Sequence, residues 1–191
     1  EGARMAEGTV VIIDVFRAFT TAAIAFIRGA TKIVLTAEIS EALELRAQGI
    51  GDLCIGEVGG VRPDGFDFGN SPFELSTADV EGKILIQSTR AGTVGVAAAV
   101  KADRVYGCSL VVAKSTATEI LKSVPTLVTV VAMGLEGKIR TDEDEQCALY
   151  MRNLLQGRSP DTDAVRRLVL AGAESLKYDD PSLQQYHFMD R

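Results

Sequence analysis

The sequence predicts an α/β protein, a three-layer α/β/α sandwich built on a mostly parallel sheet. Short runs of Val, Ile and Leu recur along the 191 residues, the clearest being 9–15, 83–89 and 126–133. Most are followed within a few residues by a segment with helical spacing of its apolar positions. The runs are apolar at successive positions, not at alternate ones, as in strands covered on both faces and joined by right-handed helical crossovers.

Residues 9–15 (TVVIIDV) read as a strand that leads directly into a helix over 18–28, where Ala, Ile and Phe repeat at helical intervals. A second unit pairs a strand at 32–37 with a helix at 40–48, Ser40 able to cap it and Gly49 to end it. A third strand at 53–58 is followed by a long loop, 59–72, rich in Gly and Pro, and long ordered loops in compact domains are often functional. Two further units follow, 83–89 with a helix at about 93–101 and 104–111 with a helix at 113–123. The last strand, 126–133, precedes a polar segment at 134–141 and two helices, 142–155 and 161–177.

This length suits a single domain over 1–191 with one core. The first residues begin as if in mid-element and the last end without a stop, as in a chain lacking terminal segments of a longer domain. With 47% hydrophobic and 24% charged residues the composition is that of an ordinary globular protein. The net charge of −6, with no cluster of Lys or Arg, argues against a nucleic-acid partner. No apolar run is long enough to span a bilayer, so no membrane role is expected. Three cysteines, Cys54, Cys108 and Cys147, form no C-x-x-C pair and fit a reducing, cytoplasmic compartment. A homodimer is the commonest assembly for such a domain.

In open parallel sheets ligands bind beyond the carboxyl ends of the strands. Asp14 stands at the end of the first strand, with Arg17, Thr20 and Thr21 at the start of the next helix; Glu57 ends the third strand; Ser88, Thr89, Arg90 and Thr93 follow the fourth. Hydroxylated turns at helix starts offer N–H groups to an oxyanion, and Arg17 or Arg90 could grip phosphate oxygens in bidentate fashion. Asp14, Glu57 and Asp67 would repel such an anion unless a cation lay between them, and carboxylates without His or Cys suit Mg²⁺. The loop Gly65-Phe66-Asp67-Phe68-Gly69-Asn70-Ser71-Pro72 has the make-up of a site wall, and Glu136 follows the last strand. Plainer uses exist for each: Asp14 as a helix cap, Glu57 as a solvated loop residue, the Ser and Thr residues as turn formers, and the acidic run 142–145 as a solvated complement to a helix dipole. His187 is the sole histidine, which argues against catalytic zinc of the usual kind and Ser-His-Asp chemistry. No cysteine has an Arg six positions on, and no G-x-x-x-x-G-K-[ST] loop is present.

Asp14-Val15-Phe16-Arg17-Ala18-Phe19-Thr20-Thr21, Gly56-Glu57, the 65–72 loop, Ser88-Thr89-Arg90-Ala91-Gly92-Thr93, and Glu136-Gly137 with Glu143-Asp144-Glu145-Gln146-Cys147-Ala148 together resemble the 2-phosphosulfolactate phosphatase family. The likeness runs through nearly the whole chain in the family's order. It departs at Val58, where many relatives resemble Gly-Glu-Arg, at Phe19 in a usually Thr-rich turn, and at Arg90-Ala91 in place of Asn-Gly. The resemblance implies a Mg²⁺-dependent acid phosphatase that hydrolyses a small phosphorylated acid, 2-phosphosulfolactate, in coenzyme M biosynthesis. On this reading Asp14, Glu57 and Asp67 hold Mg²⁺. Arg17 and Arg90, with Thr20, Thr21, Asn70, Ser71, Ser88, Thr89, Thr93 and Glu136, bind the phosphoryl and acid groups. Either a water or Asp14 itself attacks phosphorus; the alternatives are a phosphatase of the same design acting on another phosphorylated hydroxy acid, and a non-catalytic phosphate-binding module.

Overall fold

The computed structural model describes all of residues 1–191. Six strands alternate with helices: β1 (Gly8–Ile13), β2 (Lys32–Thr36), β3 (Leu53–Gly56), β4 (Ile84–Ser88), β5 (Ala102–Cys108) and β6 (Val128–Ala132). The helices are α1 (Gly2–Met5), α2 (Ala18–Ile27), α3 (Ile39–Ala47), α4 (Pro72–Thr77), α5 (Gly92–Ala98), α6 (Ala113–Lys122), α7 (Asp142–Leu155), α8 (Thr162–Ala171) and α9 (Ala173–Leu176). Short 3₁₀ turns at Lys177–Asp179 and Phe188–Asp190 shape the C-terminal segment. No helix is long and apolar enough to cross a membrane.

Every strand pairing is parallel, and β1, β3 and β4 are buried on both faces, as the apolar runs predict. The strands nevertheless divide into two three-stranded sheets, β5-β1-β6 and β2-β4-β3, where the sequence suggests one. Side-chain alternation shows how each sheet is clad. From β1, Val11 and Ile13 pack with Ala113, Ala117 and Ile120 of α6 and Cys147 and Met151 of α7. Val10 and Ile12 point the other way, to Ala3 of α1, Phe19 of α2 and Ala99. In the second sheet Ile55 and Leu85 meet Ala25 of α2 and Leu75 of α4, whereas Cys54 and Ile86 meet Ala42 of α3 and Phe66.

The layer between the sheets is α2 with α5, and it accounts for the division. Leu35 of β2 and Val96 of α5 pack against the same cluster as Val10 and Ile12 of β1, so helices separate β1 from β2. A buried amide crosses this layer: Gln87 Nε2 in β4 donates to the Ala18 carbonyl of α2 at 2.9 Å. The sheets are thus locked in one orientation, with β1, β3 and β4 ending near one another.

Among the departures from the elements read in the sequence, three have a clear physical cause. The predicted helix over 161–177 breaks at Gly172, which is extended (φ −72°, ψ 155°), while the Ala173 N–H reaches Asp142 Oδ2. The short α4 caps the end of the long loop, its Ser71 hydroxyl accepting from Glu74 N at 3.0 Å. The third strand ends at Gly56, two residues early, because the chain turns there under β4. Gly56 has φ +151°, and a Cβ at that position would lie 1.9 Å from the Ser88 carbonyl oxygen. Gly56→Ala is expected to destabilise the fold by about 3 kcal/mol or more, from combined backbone strain and overlap. Gly49→Ala, at φ +74° with open space around it, should lose only about 1 kcal/mol. Denaturant midpoints of the two variants check the contrast.

Candidate active site

The carboxyl ends of β1, β3, β4 and β6 meet at a narrow cleft whose floor holds about 70 Å³, roughly two waters at ~30 Å³ each. Asp14, Arg17, Glu57, Asn70, Arg90, Glu136, Glu143, Asp144 and Glu174 are among the residues that line it. Three of these acids, Asp14, Glu57 and Asp144, are placed by backbone donors from neighbouring turns. Asp14 Oδ1 accepts from Ala18 N at 3.0 Å, as a helix cap would, but Oδ2 also accepts from Gly92 N at 2.8 Å, at the start of α5. That second bond needs a bare backbone at 92, where a Cβ would sit 2.9 Å from Asp14 Oδ2. Glu57 likewise accepts from Arg90 N at 2.9 Å and Gly60 N at 2.7 Å. Asp144 accepts from Val15 N and Gly134 N, both at 2.8 Å, and so ties the loops after β1 and β6 to the first turn of α7.

The acids are crowded, and Asp14, Glu143 and Asp144 are buried. Six acidic residues, Asp14, Glu57, Glu136, Glu143, Asp144 and Glu174, line the cleft against two basic ones, Arg17 and Arg90. Burial pushes Asp14 up to about 6, against the pull of the Ala18 and Gly92 N–H groups. It pushes Glu143 up to about 7, and burial beside Asp14 raises Asp144 well above the usual carboxylate range. Three buried oxygens on the wall, Asn70 Oδ1, Thr141 Oγ1 and Glu143 Oε2, have no hydrogen-bond partner in the protein. Buried polar atoms are rarely left so unless a ligand or water completes them.

Arg17 is buried and held from several sides. Its guanidinium pairs with Asp190 at 2.7 Å, both side chains at most 4% exposed, and donates to the Gln185 and Gly60 carbonyls. It lies 5.9 Å and 5.3 Å from the ring centres of Tyr178 and Tyr186. Asp190 also accepts from the Ser71 hydroxyl and Phe73 N, so the C-terminal segment is fastened to the cleft wall through one carboxylate.

The structure therefore brings together Asp14, Arg17, Glu57, Asn70, Arg90 and Glu136 of the residues singled out in the sequence. The expectation of an Asp14, Glu57 and Asp67 ligand set is corrected. Asp67 does not line the cleft, because its Oδ2 is engaged by Cys54 N at 2.8 Å and Arg46 Nη1 at 2.9 Å on the α3 side of β3. The hydroxyl residues build the walls and do not face the cleft. Thr20 donates to the Val15 carbonyl, Thr89 and Thr93 bond each other, Ser71 caps α4, and Thr21 and Ser88 are buried outside the lining. Glu143 and Asp144 lie in the acidic run that reads as solvated, yet they are 4% and 2% exposed. A signal for them exists, since they share a helix face with the buried Cys147, Tyr150 and Met151 three, four, seven or eight positions on.

Residues 1–184 match the family profile described as 2-phosphosulpholactate phosphatase. A probable 2-phosphosulfolactate phosphatase of Bacillus subtilis is 33% identical over 162 residues, 83% of this chain and 69% of that protein. Proteins of the same description from Carboxydothermus hydrogenoformans and Thermus thermophilus are 42% and 34% identical over 59% and 70% of this chain. The chain spans 47% and 56% of the length of those two.

Two outcomes follow from the geometry. Asp190→Asn breaks a buried ion pair and leaves Arg17 uncompensated, which should destabilise the protein by about 3–5 kcal/mol in equilibrium unfolding. Carboxyls raised on folding hold their protons longer in the native state than in the unfolded one. The stability they confer is complete below the ordinary carboxylate range and is lost as pH rises through about 6 for Asp14 and about 7 for Glu143. Without divalent cations the melting midpoint should therefore be lower at pH 8 than at pH 5, with Asp14 alone contributing on the order of 3 kcal/mol, and Asp14→Asn should flatten the slope.

Proposed function

The chain belongs to the 2-phosphosulpholactate phosphatase family, and from that premise we propose that it hydrolyses a small phosphorylated acid, 2-phosphosulfolactate, to the free hydroxy acid and inorganic phosphate with the help of Mg²⁺. The observation that carries this reading is the cleft itself: a small cavity at the strand ends bounded by fixed carboxylates, with two arginines in its lining.

A phosphate dianion entering beside the Asp14 and Glu57 carboxyls is repelled by the charge they carry, and a cation between them would offset that repulsion. The donor set fits a hard ion, because it is made of oxygen atoms and the backbone bonds to Asp14 and Glu57 use only part of each oxygen's lone-pair capacity. No three acidic, His or Cys groups converge into a ready cage. That suits Mg²⁺, which is commonly bound through one or two carboxylates, substrate phosphate and water. Asp14 and Glu57 are the residues that would hold it. When bound, the ion neutralises charge on the phosphoryl group and acidifies a water.

The protein's own residues then position and balance charge. Arg90 is exposed at the mouth with its backbone fixed by Glu57, so its side chain is free to close on the phosphoryl or acid group. Arg17, immobilised by Asp190, supplies a fixed positive field at the floor. The unpartnered Asn70 and Thr141 oxygens offer contacts to ligand hydroxyl or water hydrogens. Asp14 has both oxygens tied to N–H groups that stabilise its charge, which disfavours it as a nucleophile and leaves attack to a water.

Turnover of 2-phosphosulfolactate, followed by phosphate release with and without Mg²⁺, tests the reading. Asp14→Asn should lower it by about a hundredfold or more, as expected when several kcal/mol of charge stabilisation is lost. Asp67→Asn should keep metal-dependent turnover, since that carboxylate serves Cys54 and Arg46. No metal-dependent release of phosphate by the wild type would overturn the assignment.

A further inference from the structure

One buried acid in the cleft is left without a task by the scheme above. Glu143 opens the first full turn of α7, is 4% exposed, and lines the cleft together with Asp14. Its neighbours Asp14, Glu57 and Asp144 each have two backbone N–H donors, whereas no group of the protein bonds Glu143 Oε2. Burial favours the neutral acid at Glu143, against the weaker opposing pull of Thr141 and of its own N–H. Of these four carboxyls only Glu143 has a buried oxygen with no partner in the protein, so it alone keeps an atom open to hand a proton to a ligand in the cleft.

We propose that Glu143 is the general acid of the reaction, donating its proton to the ester oxygen that leaves phosphorus. This rests on the phosphatase reading. As the water oxygen bonds to phosphorus, the ester P–O bond breaks and its electron pair moves to the ester oxygen. That oxygen takes the Glu143 proton and departs as the neutral alcohol. The attacking water keeps one hydrogen on the phosphate formed and releases the other to solvent, from which Glu143 is reprotonated.

The chemistry requires such a donor for this class of substrate. An alkyl alkoxide is a poor leaving group and gains greatly from protonation, whereas an aryl oxide such as p-nitrophenolate leaves unaided. Glu143 meets that need by position: it is buried on the cleft wall beside Asp14, with an oxygen that no protein group occupies. The charged groups that act on it are Glu174 of α9 and Asp14 at the end of β1, both favouring retention of the proton, while Thr141 and its own N–H oppose it.

The test compares two esters on the Mg²⁺-loaded protein, 2-phosphosulfolactate and p-nitrophenyl phosphate. Glu143→Gln, which keeps shape but carries no transferable proton, should lower kcat on the alkyl ester by about 10²–10⁴-fold. It should lower kcat on the aryl ester far less, with an unchanged Mg²⁺ requirement. Glu143→Asp, which keeps a proton on a shorter arm, should recover part of the alkyl-ester rate. Equal losses on the two esters, or a raised Mg²⁺ requirement, would overturn the role, and melting curves of both variants separate it from misfolding. Failure of the wild type to hydrolyse either ester would instead strike at the phosphatase reading itself.

Discussion

The molecule depends on one carboxylate gripped by two helix starts. Asp14 ends β1 and accepts from Ala18 N, at the start of the helix that follows it, and from Gly92 N, at the start of the helix that follows β4. The first bond is local; the second spans the gap between the two sheets. Because α2 and α5 form the shared middle layer, this acid fixes how the sheets stand relative to each other. Glu57 repeats the device on a smaller scale by holding Arg90 N, and Asp144 repeats it by holding Val15 N and Gly134 N. The cleft is thus not a hollow left over from packing. It is the place where loops from both sheets are stitched together by acids.

That construction has an electrostatic consequence. Pairing with N–H groups lowers a carboxyl's proton affinity, yet burial outweighs it at Asp14 and Asp144, whose affinities end above the ordinary range. Hydrogen bonds alone therefore do not compensate the charge gathered here. Structural acids gain nothing from such crowding, since replacing a buried charge by an apolar group is often neutral or stabilising. Functional sites, by contrast, are where shifts of this size concentrate. The strain of like charges is relieved by whatever cation or proton the site takes up, which couples binding to stability.

Much of this was legible in the sequence, for identifiable reasons. The unbroken runs at β1, β4 and β6 announce strands clad on both faces, and the rule that ligands gather beyond strand ends picks out Asp14, Glu57 and Arg90. The division into two sheets was not legible, because pairing order is set by contacts between distant segments such as Leu35 with Val10 and Ile12. Asp67 was misplaced because its position in a loop does not say which side of β3 it faces, and the decisive partner, Arg46, lies a helix away. The sequence allows one or two of the acids at 142–145 near the site without saying which, because acids at a helix start usually face solvent. Here the helix turns that face inward, and the same stripe that buries Cys147 and Met151 buries Glu143 and Asp144.

The two arginines show why burial, and not charge alone, decides a residue's part. Arg17 sits deepest, yet its guanidinium is already committed to Asp190, Gln185 and Gly60 and flanked by Tyr178 and Tyr186. A guanidinium so held cannot swing to follow a ligand, and releasing it would leave Asp190 buried and unpaired. Its contribution to anion binding is consequently a fixed field, partly offset by its partner. Arg90 is the reverse: its backbone is pinned by Glu57 but its side chain is exposed, so it keeps the freedom a bidentate grip requires. On the proposed function, affinity for the acid end of the substrate then resides in the arginine at the mouth. The alignment of that mouth with the floor resides in the carboxylate that holds Arg90's own N–H, so binding and metal placement both pass through Glu57.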